Sequence, residues 1–381
     1  MTSMIPLCLP SVGLTEEAAV LSAIRSGWVA PMGPQLEEFE SLLAQQTDRP
    51  EVVAVSSGTA ALHLALLAAG IGPEDTVAVS TLTFAATANA VTYTGAVPLF
   101  IDCDDEGLMS VDLLAEALAD AQRTSRPIAA IIAVDLYGRP ADYPRICALA
   151  EEYGAKVIAD SAESLGAVLD GRPAGSFGDF ATLSFNGNKI VTASSGGAVL
   201  CSDSQSAERV RYLATQARQP VLHYEHTDIG FNYRLSNILA ALGLAQLRRL
   251  PEILEVKRDH HVAYRSMAAE AVGLSIIDAA AGNCWLTIVR VGSECALTAR
   301  ELGELLLREG FETRPVFKPM HLQPVHAGCS TAYISGRAQQ LFDAGLALPS
   351  SVGLSAADRS GDIEAVLRLT GSMVPGTAEI V

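Results

Sequence analysis

Lys189 stands in the run Ser184-Phe-Asn-Gly-Asn-Lys189-Ile-Val-Thr-Ala-Ser-Ser-Gly-Gly197, among small polar residues and close behind an apolar segment. An amine in such a turn has room to condense with a carbonyl. No carboxylate lies near it in sequence, so no fixed ion pair is expected. In isolation a lysine of this kind is by default a surface group, so its chemistry depends on its neighbours. Asp160 closes the apolar run Ala155-Lys-Val-Ile-Ala-Asp160. A carboxylate there either caps the segment that follows or faces a ligand crevice. In the crevice it would hold a pyridine nitrogen protonated and make that ring a better electron sink. Ser56-Ser-Gly-Thr-Ala-Ala61 falls between a strand-like and a helix-like stretch. The free N–H groups and partial positive charge of a helix start suit a phosphate, and Gly58 allows close backbone approach. Ser and Thr are equally ordinary helix caps, so this signal alone leaves both readings open.

Other patterns are absent. Gly70-Ile-Gly72 lacks a third glycine in place, and no G-x-x-x-x-G-K-[ST] occurs, which removes most support for a dinucleotide or P-loop site. His223 and His226 are three apart but have no evident third ligand, so no metal site is expected. His63, on an apolar stretch, reads as a core histidine, and His260-His261 as solvated. Arg234, Arg314, Lys318 and His321 are cationic groups for an anionic ligand or, equally, for structural pairs in loops. The net charge of -17 argues against nucleic acid and anionic membrane surfaces. The seven scattered cysteines form no CxxC pair, and the number is odd in a long chain, so a disulfide framework is not expected and a reducing cytoplasm fits. The N-terminus lacks a basic segment followed by an apolar run, and the apolar stretches near 58–72 and 127–136 are too short to span a bilayer.

The elements that must position these groups alternate. Residues 52–56, 76–80, 97–101, 128–134 and 156–160 read as buried strands. Residues 59–69, 84–93, 111–121 and 143–153 read as helices. The alternation predicts a mostly parallel α/β sheet covered on both faces, with ligands at the carboxyl ends of its strands. Strands at 180–185 and 198–201 follow. A helix over 236–249 should end at Pro251, and a long one covers 252–271. Beyond it lie a strand at 285–291 and helices at 298–309 and 361–370. With 381 residues, the chain divides into a large unit of 1–250, whose first 14 or so residues form an arm, and a smaller α+β unit of 251–381.

Taken together, seven stretches in order make the chain resemble the DegT/StrS family of sugar aminotransferases, of pyridoxal-phosphate fold type I. They are Trp28-Val-Ala-Pro-Met-Gly33, Ser57-Gly-Thr-Ala-Ala-Leu-His63, Thr83-Phe84, Ile158-Ala-Asp-Ser-Ala-Glu163, Ser184–Gly197, Phe231-Asn-Tyr-Arg-Leu-Ser236 and Arg314-Pro-Val-Phe-Lys-Pro-Met-His321. The resemblance implies Lys189 as the Schiff-base lysine and proton shuttle, and Asp160 on the pyridinium. It places Glu163, where many relatives have Gln, near the ring hydroxyl, and Phe84 stacked on the ring. Gly58, Thr59 and Ser184 would hold the phosphate, with Asn232 supplied by the other subunit of a homodimer.

A narrower likeness lies in Ala214-Thr-Gln-Ala-Arg-Gln-Pro-Val-Leu-His-Tyr-Glu-His226 and Gly230-Phe-Asn-Tyr-Arg-Leu-Ser-Asn237. It resembles the transaminases of bacillosamine-type glycan pathways. That implies L-glutamate as donor and a UDP-4-keto-6-deoxy-N-acetylhexosamine as acceptor, with GDP-perosamine synthesis as the near alternative. Asn186, His223, Arg234, Arg314, Lys318 and His321 become candidates for substrate contact. A sugar dehydratase or a non-catalytic cofactor-binding regulator on the same fold are the rivals. Relatives of the dehydratase kind carry His at the lysine position, and the lysine here favours transamination.

Overall fold

The computed structural model describes residues 4–278, 281–327 and 332–372. Two N-terminal helices, α1 (Leu14–Ser26) and α2 (Pro34–Thr47), precede the alternating region. That region runs β1 (Glu51–Val55), α3 (Gly58–Ala68), β2 (Thr76–Ser80), α4 (Ala85–Tyr93), β3 (Val97–Ile101), α5 (Val111–Arg123), β4 (Ile128–Val134), α6 (Tyr143–Tyr153) and β5 (Lys156–Asp160). A short hairpin, β6 (Val168–Leu169) and β7 (Arg172–Pro173), leads to β8 (Phe180–Ser184) and β9 (Gly197–Cys201). Then come α7 (Ser204–Ala214), α8 (Asn237–Arg248) and α9 (Leu250–Glu270). The remaining elements are β10 (Leu274–Ile276), β11 (Thr287–Val291), α10 (Ala299–Arg308), β12 (Arg314–Pro315), β13 (Ala332–Tyr333), α11 (Arg337–Ala344), β14 (Gly345–Leu348) and α12 (Ala356–Leu369).

The main sheet has the order β1-β9-β8-β5-β4-β2-β3-β13. Its pairings are parallel from β8 to β13, and β9 is antiparallel to both β8 and β1. β4 shows why both faces are covered: Ile131 and Ala133 enter one apolar core, and Ala130 and Ile132 the other. Side chains alternate across a strand, so a continuous apolar run can satisfy two cores at once. α3 fits the same logic. It is apolar all round, and Leu62, Leu64 and Leu66 are buried, each contributing about 1.5–3 kcal/mol of transfer free energy.

A second, antiparallel sheet, β10-β11-β14-β12, packs with α9, α10 and α12 around a third core that includes Tyr264, Val289, Leu302 and Val366. The halves exchange segments. Ile5 bridges Phe311, Leu9 N–H donates to Ser351 Oγ at 2.9 Å, and β13 joins the edge of the main sheet.

α8 ends at Arg248, shortly before Pro251 as expected, and Pro251 itself lies in the first turn of α9, where its missing N–H costs nothing. One expectation is corrected. His260 and His261 are not solvated: they are 3% and 4% exposed. His260 Nε2 lies 3.1 Å from the Ser351 carbonyl, and His261 Nδ1 lies 3.3 Å from Thr287 Oγ1. Both fall on the buried stripe Ile253, Lys257, His260/His261, Tyr264 and Met267, whose helical spacing is masked by its polar members. His63 is buried as expected, with its ring 4.8 Å from that of Phe231. No helix among the described residues is long and apolar enough to cross a membrane.

Candidate functional site

The carboxyl ends of the parallel strands open into one cavity of about 550 Å³, and Gly58, Thr59, Phe84, Asp160, Glu163, Ser184, Asn186, Lys189 and Arg314 all reach it. β1 delivers the start of α3, where Ser57 Oγ accepts the Ala60 N–H at 3.0 Å. A Cβ at Gly58 would come within 2.9 Å of the Ser184 Cβ, so only glycine lets the end of β8 approach the helix start this closely. The Ser57 cap satisfies one of the free N–H groups of α3, and the positive end of the helix faces the cavity.

Asp160, at the end of β5, is 4% exposed. Its Oδ2 accepts the Thr87 hydroxyl at 2.7 Å and its Oδ1 accepts the Ala162 N–H at 3.3 Å. Burial pushes its carboxyl above the usual range. The Thr87 bond pulls it down, the neighbouring Glu163 charge pushes it further up, and the Lys189 charge pulls it down. No Lys or Arg forms an ion pair with it among the described residues, so a buried carboxylate faces the cavity with neutral partners only.

Lys189 sits in the turn after β8, its N–H donating to the Asn186 carbonyl at 3.0 Å. The expectation of an unpaired amine is overturned: Lys189 Nζ donates to Glu163 Oε1 at 3.1 Å, with both side chains largely buried. Glu163 arrives from the turn after β5, and no sequence neighbourhood of Lys189 could disclose it. The other Glu163 oxygen accepts the Tyr137 N–H at 2.7 Å. Tyr137 holds that N–H in place with a left-handed backbone, φ 54° and ψ 30°, unusual for a residue with a Cβ. Phe84, just before α4, leaves much of its ring free at 61% exposure and tilts towards Phe317 at 6.1 Å between centroids.

Other sequence-predicted residues lie elsewhere. Asn232 is exposed and bridges Thr215, and Arg234 bridges Val55. His223 is exposed beside Glu225, and His226 Nδ1 lies 2.8 Å from the Gln216 carbonyl. Lys318 is exposed, and His321 Nδ1 pairs with Thr81 Oγ1 at 2.7 Å. None of these six lines the cavity. No group of three or more potential metal ligands occurs among the described residues. Arg314 lines the cavity but is tied to Glu312 at 2.6 Å.

Sequence reasoning missed Thr87, Tyr137 and Trp285. Thr87, four residues beyond Thr83 and hydrogen-bonded to its hydroxyl, was the one legible by spacing.

The sequence profile of the DegT/DnrJ/EryC1/StrS aminotransferase family matches residues 10–366. A Bacillus subtilis (strain 168) protein named as a pyridoxal phosphate-dependent aminotransferase, EpsN, is 40% identical over 376 residues, covering 97% of this chain and 96% of that one. The GDP-perosamine synthase of Caulobacter vibrioides is 37% identical, covering 93% and 95%. Among solved structures, a DegT DnrJ EryC1 StrS aminotransferase from Brucella abortus superposes with a TM-score of 0.87 at 30% identity, covering 94% and 96%. With the profile spanning nearly its whole length, the chain belongs to the DegT/DnrJ/EryC1/StrS aminotransferase family.

Proposed function

We propose that this protein moves the amino group of L-glutamate to C4 of a UDP-4-keto-6-deoxy-N-acetylhexosamine, with Lys189 as the Schiff-base lysine and proton carrier. At the coarser level the chain is a pyridoxal-phosphate-dependent sugar aminotransferase. The single observation carrying the site assignment is that the Lys189 amine, the Asp160 carboxylate and the start of α3 all line one cavity.

The residues present fit the cofactor. A buried carboxylate without a cationic partner is costly, and a protonated ring nitrogen is the partner that would relieve it. The close approach permitted by Gly58 leaves the start of α3, with Thr59 and Ser184 beside it, open to a phosphate. The free face of Phe84 suits an aromatic ring. When bound, pyridoxal phosphate supplies the electron sink that makes the amino-acid Cα–H acidic.

The chain's own residues do the rest. With the cofactor bound, Asp160, ionised, would hold the ring nitrogen protonated, and Lys189 Nζ would be the group placed to take up the Cα proton of glutamate and to return it. The same amine works in both halves of a ping-pong cycle, because donor and acceptor use one site in turn. Glu163 Oε1 holds the Lys189 amine between these tasks, and Arg314 is the cation in the cavity suited to a substrate carboxylate or phosphate. In this reading the chain acts as a homodimer, and Asn232, which does not line its own cavity, serves the partner's cofactor phosphate.

A second reading, GDP-perosamine synthesis, is supported by the likeness to the Caulobacter GDP-perosamine synthase. A panel of UDP-, GDP- and dTDP-linked 4-keto sugars with glutamate, followed by product mass spectrometry, separates them. Fastest turnover of the GDP sugar would replace the UDP assignment, and no product from any of them would remove both.

A further inference from the structure

Trp285 belongs to the second half of the chain, yet its ring lies against the amine of Lys189. Lys189 Nζ is 4.2 Å from the indole ring centre. That is within the distance at which an aromatic face attracts a cation, and tryptophan is the strongest of the aromatic side chains in this role. The ring is 3% exposed and fixed from every side. Its Nε1–H donates to the Asn188 carbonyl at 2.7 Å, one residue before Lys189. Its backbone N–H donates to Asn283 Oδ1 at 2.9 Å, and its carbonyl accepts from Lys257 Nζ and Ser350 Oγ, both at 3.1 Å. The Tyr137 ring stacks on it at 6.4 Å.

The same short segment also holds the other partner of Lys189. Asn283 Nδ2 donates to the carbonyls of Glu163 and Leu165 at 2.8 and 3.0 Å. Cys284, between Asn283 and Trp285, has φ 55°, a left-handed backbone that a residue with a Cβ adopts only when its surroundings impose it. Residues 283–285 therefore fix the turn carrying Lys189 through Asn188 and the turn carrying Glu163 through Asn283. A tryptophan that merely filled space would need neither the bond to Asn188 nor a ring face over the amine.

We infer that Trp285 is a positioning residue for the Lys189 amine: its indole face and the Glu163 carboxylate together hold that amine at the cavity wall. The inference rests on the reading of Lys189 as the working amine. It adds that the electron density of one aromatic ring, supplied from beyond residue 250, sets how readily that amine reacts.

The test reads amine reactivity rather than turnover. The chain has two tryptophans, Trp28 and Trp285. In a Trp28→Phe background, position 285 is filled with tryptophan, monofluoro-, difluoro- or trifluorotryptophan. Fluorine drains the ring face while changing its shape little. The full-length protein, before cofactor is added, is trace-labelled with acetic anhydride at neutral pH. Label at Lys189 is measured by peptide mass spectrometry against the exposed Lys156. The expected result is a stepwise rise in Lys189 labelling with fluorine number, reaching about 3- to 10-fold for the trifluoro ring, within the range of cation–π energies. Trp285→Phe should fall between tryptophan and Trp285→Leu. If the leucine variant does not fold, the fluorinated proteins still carry the test. Labelling that does not change with fluorine number, in proteins of unchanged melting temperature, overturns the inference. Borohydride reduction of the cofactor-loaded protein tests the underlying reading separately. A label fixed on Lys189 with a flat fluorine series removes only the role of Trp285, whereas a label fixed elsewhere removes the reading itself.

Discussion

Lys189 Nζ and Glu163 Oε1 lie 3.1 Å apart, joining the turn after β8 to the turn after β5 across the cavity wall. Glu163 is bound on its other side by the Tyr137 N–H, so the pair is held by backbone as well as by charge. A buried ion pair of this kind is strongly felt when one partner is removed.

Glu163→Gln keeps the size of the side chain and an acceptor for Tyr137 but removes the charge. We expect turnover to fall by less than about tenfold, ~1.4 kcal/mol in barrier. The Glu163 charge is one of the causes that raise the Asp160 carboxyl, so its removal lets Asp160 stay ionised to lower pH. The acid limb of kcat/KM should move to lower pH. A limb that stays put or moves the other way contradicts the coupling between these carboxyls.

Asp160→Asn should retain bound cofactor but slow proton removal, since the ring nitrogen would no longer be held protonated. The expected loss is about a hundredfold or more in the chemical step, roughly 3 kcal/mol. Single-turnover kinetics check this, and unchanged rates would remove the role.

Asp362 tests the third core by pH. Burial pushes its carboxyl up to about 7, and the Tyr264 hydroxyl that donates to it at 2.8 Å lowers it only partly. The folded protein then binds a proton that the unfolded chain has released at a lower pH, so stability falls as pH rises from near 4 to about 7. Asp362→Asn cannot ionise. Its melting temperature relative to the parent should rise across that window, by an amount on the order of a few kcal/mol in stability. A difference that is flat with pH shows that Asp362 does not titrate there.

Asn232 provides a test of the shared site. Asn232→Asp places a negative charge where the partner's cofactor phosphate is expected, and Lys189→Ala removes the amine. Mixed after subunit exchange, the two inactive proteins should regain about a quarter of parental activity. About half the dimers are then mixed, and each has one intact site. No recovery with exchange demonstrated would place Asn232 in its own subunit's chemistry.

Much of the main sheet was legible because its strands are apolar runs and α3, α5 and α6 each start on a side-chain cap, Ser57, Ser110 and Asp142. β2, β3, β4, β5 and α6 fall on the expected residues. β10, β12, β13 and β14 were not legible, being two to four residues long and held by long-range pairing rather than by pattern. α9 hid its buried face behind Lys257, His260 and His261, whose hydrogen bonds run to Thr287, Trp285, Ser350 and Ser351, far along the chain. At the site, strand-end residues such as Asp160 could be read because a strand's carboxyl end has a known place in a parallel sheet. Glu163 against Lys189, and Trp285 over that amine, could not. Those contacts join turns distant in sequence, and two of the residues involved, Tyr137 and Cys284, have left-handed backbones that no composition announces.

The most direct measurement is borohydride reduction of the protein loaded with pyridoxal 5'-phosphate, followed by peptide mass spectrometry. A Schiff base on Lys189 puts the phosphopyridoxyl group on the peptide containing Lys189 and bleaches the visible absorbance, and Lys189→Ala should lose both label and turnover while melting normally. A label on another lysine, or substantial transamination by Lys189→Ala, would contradict the assignment on which the mechanism rests.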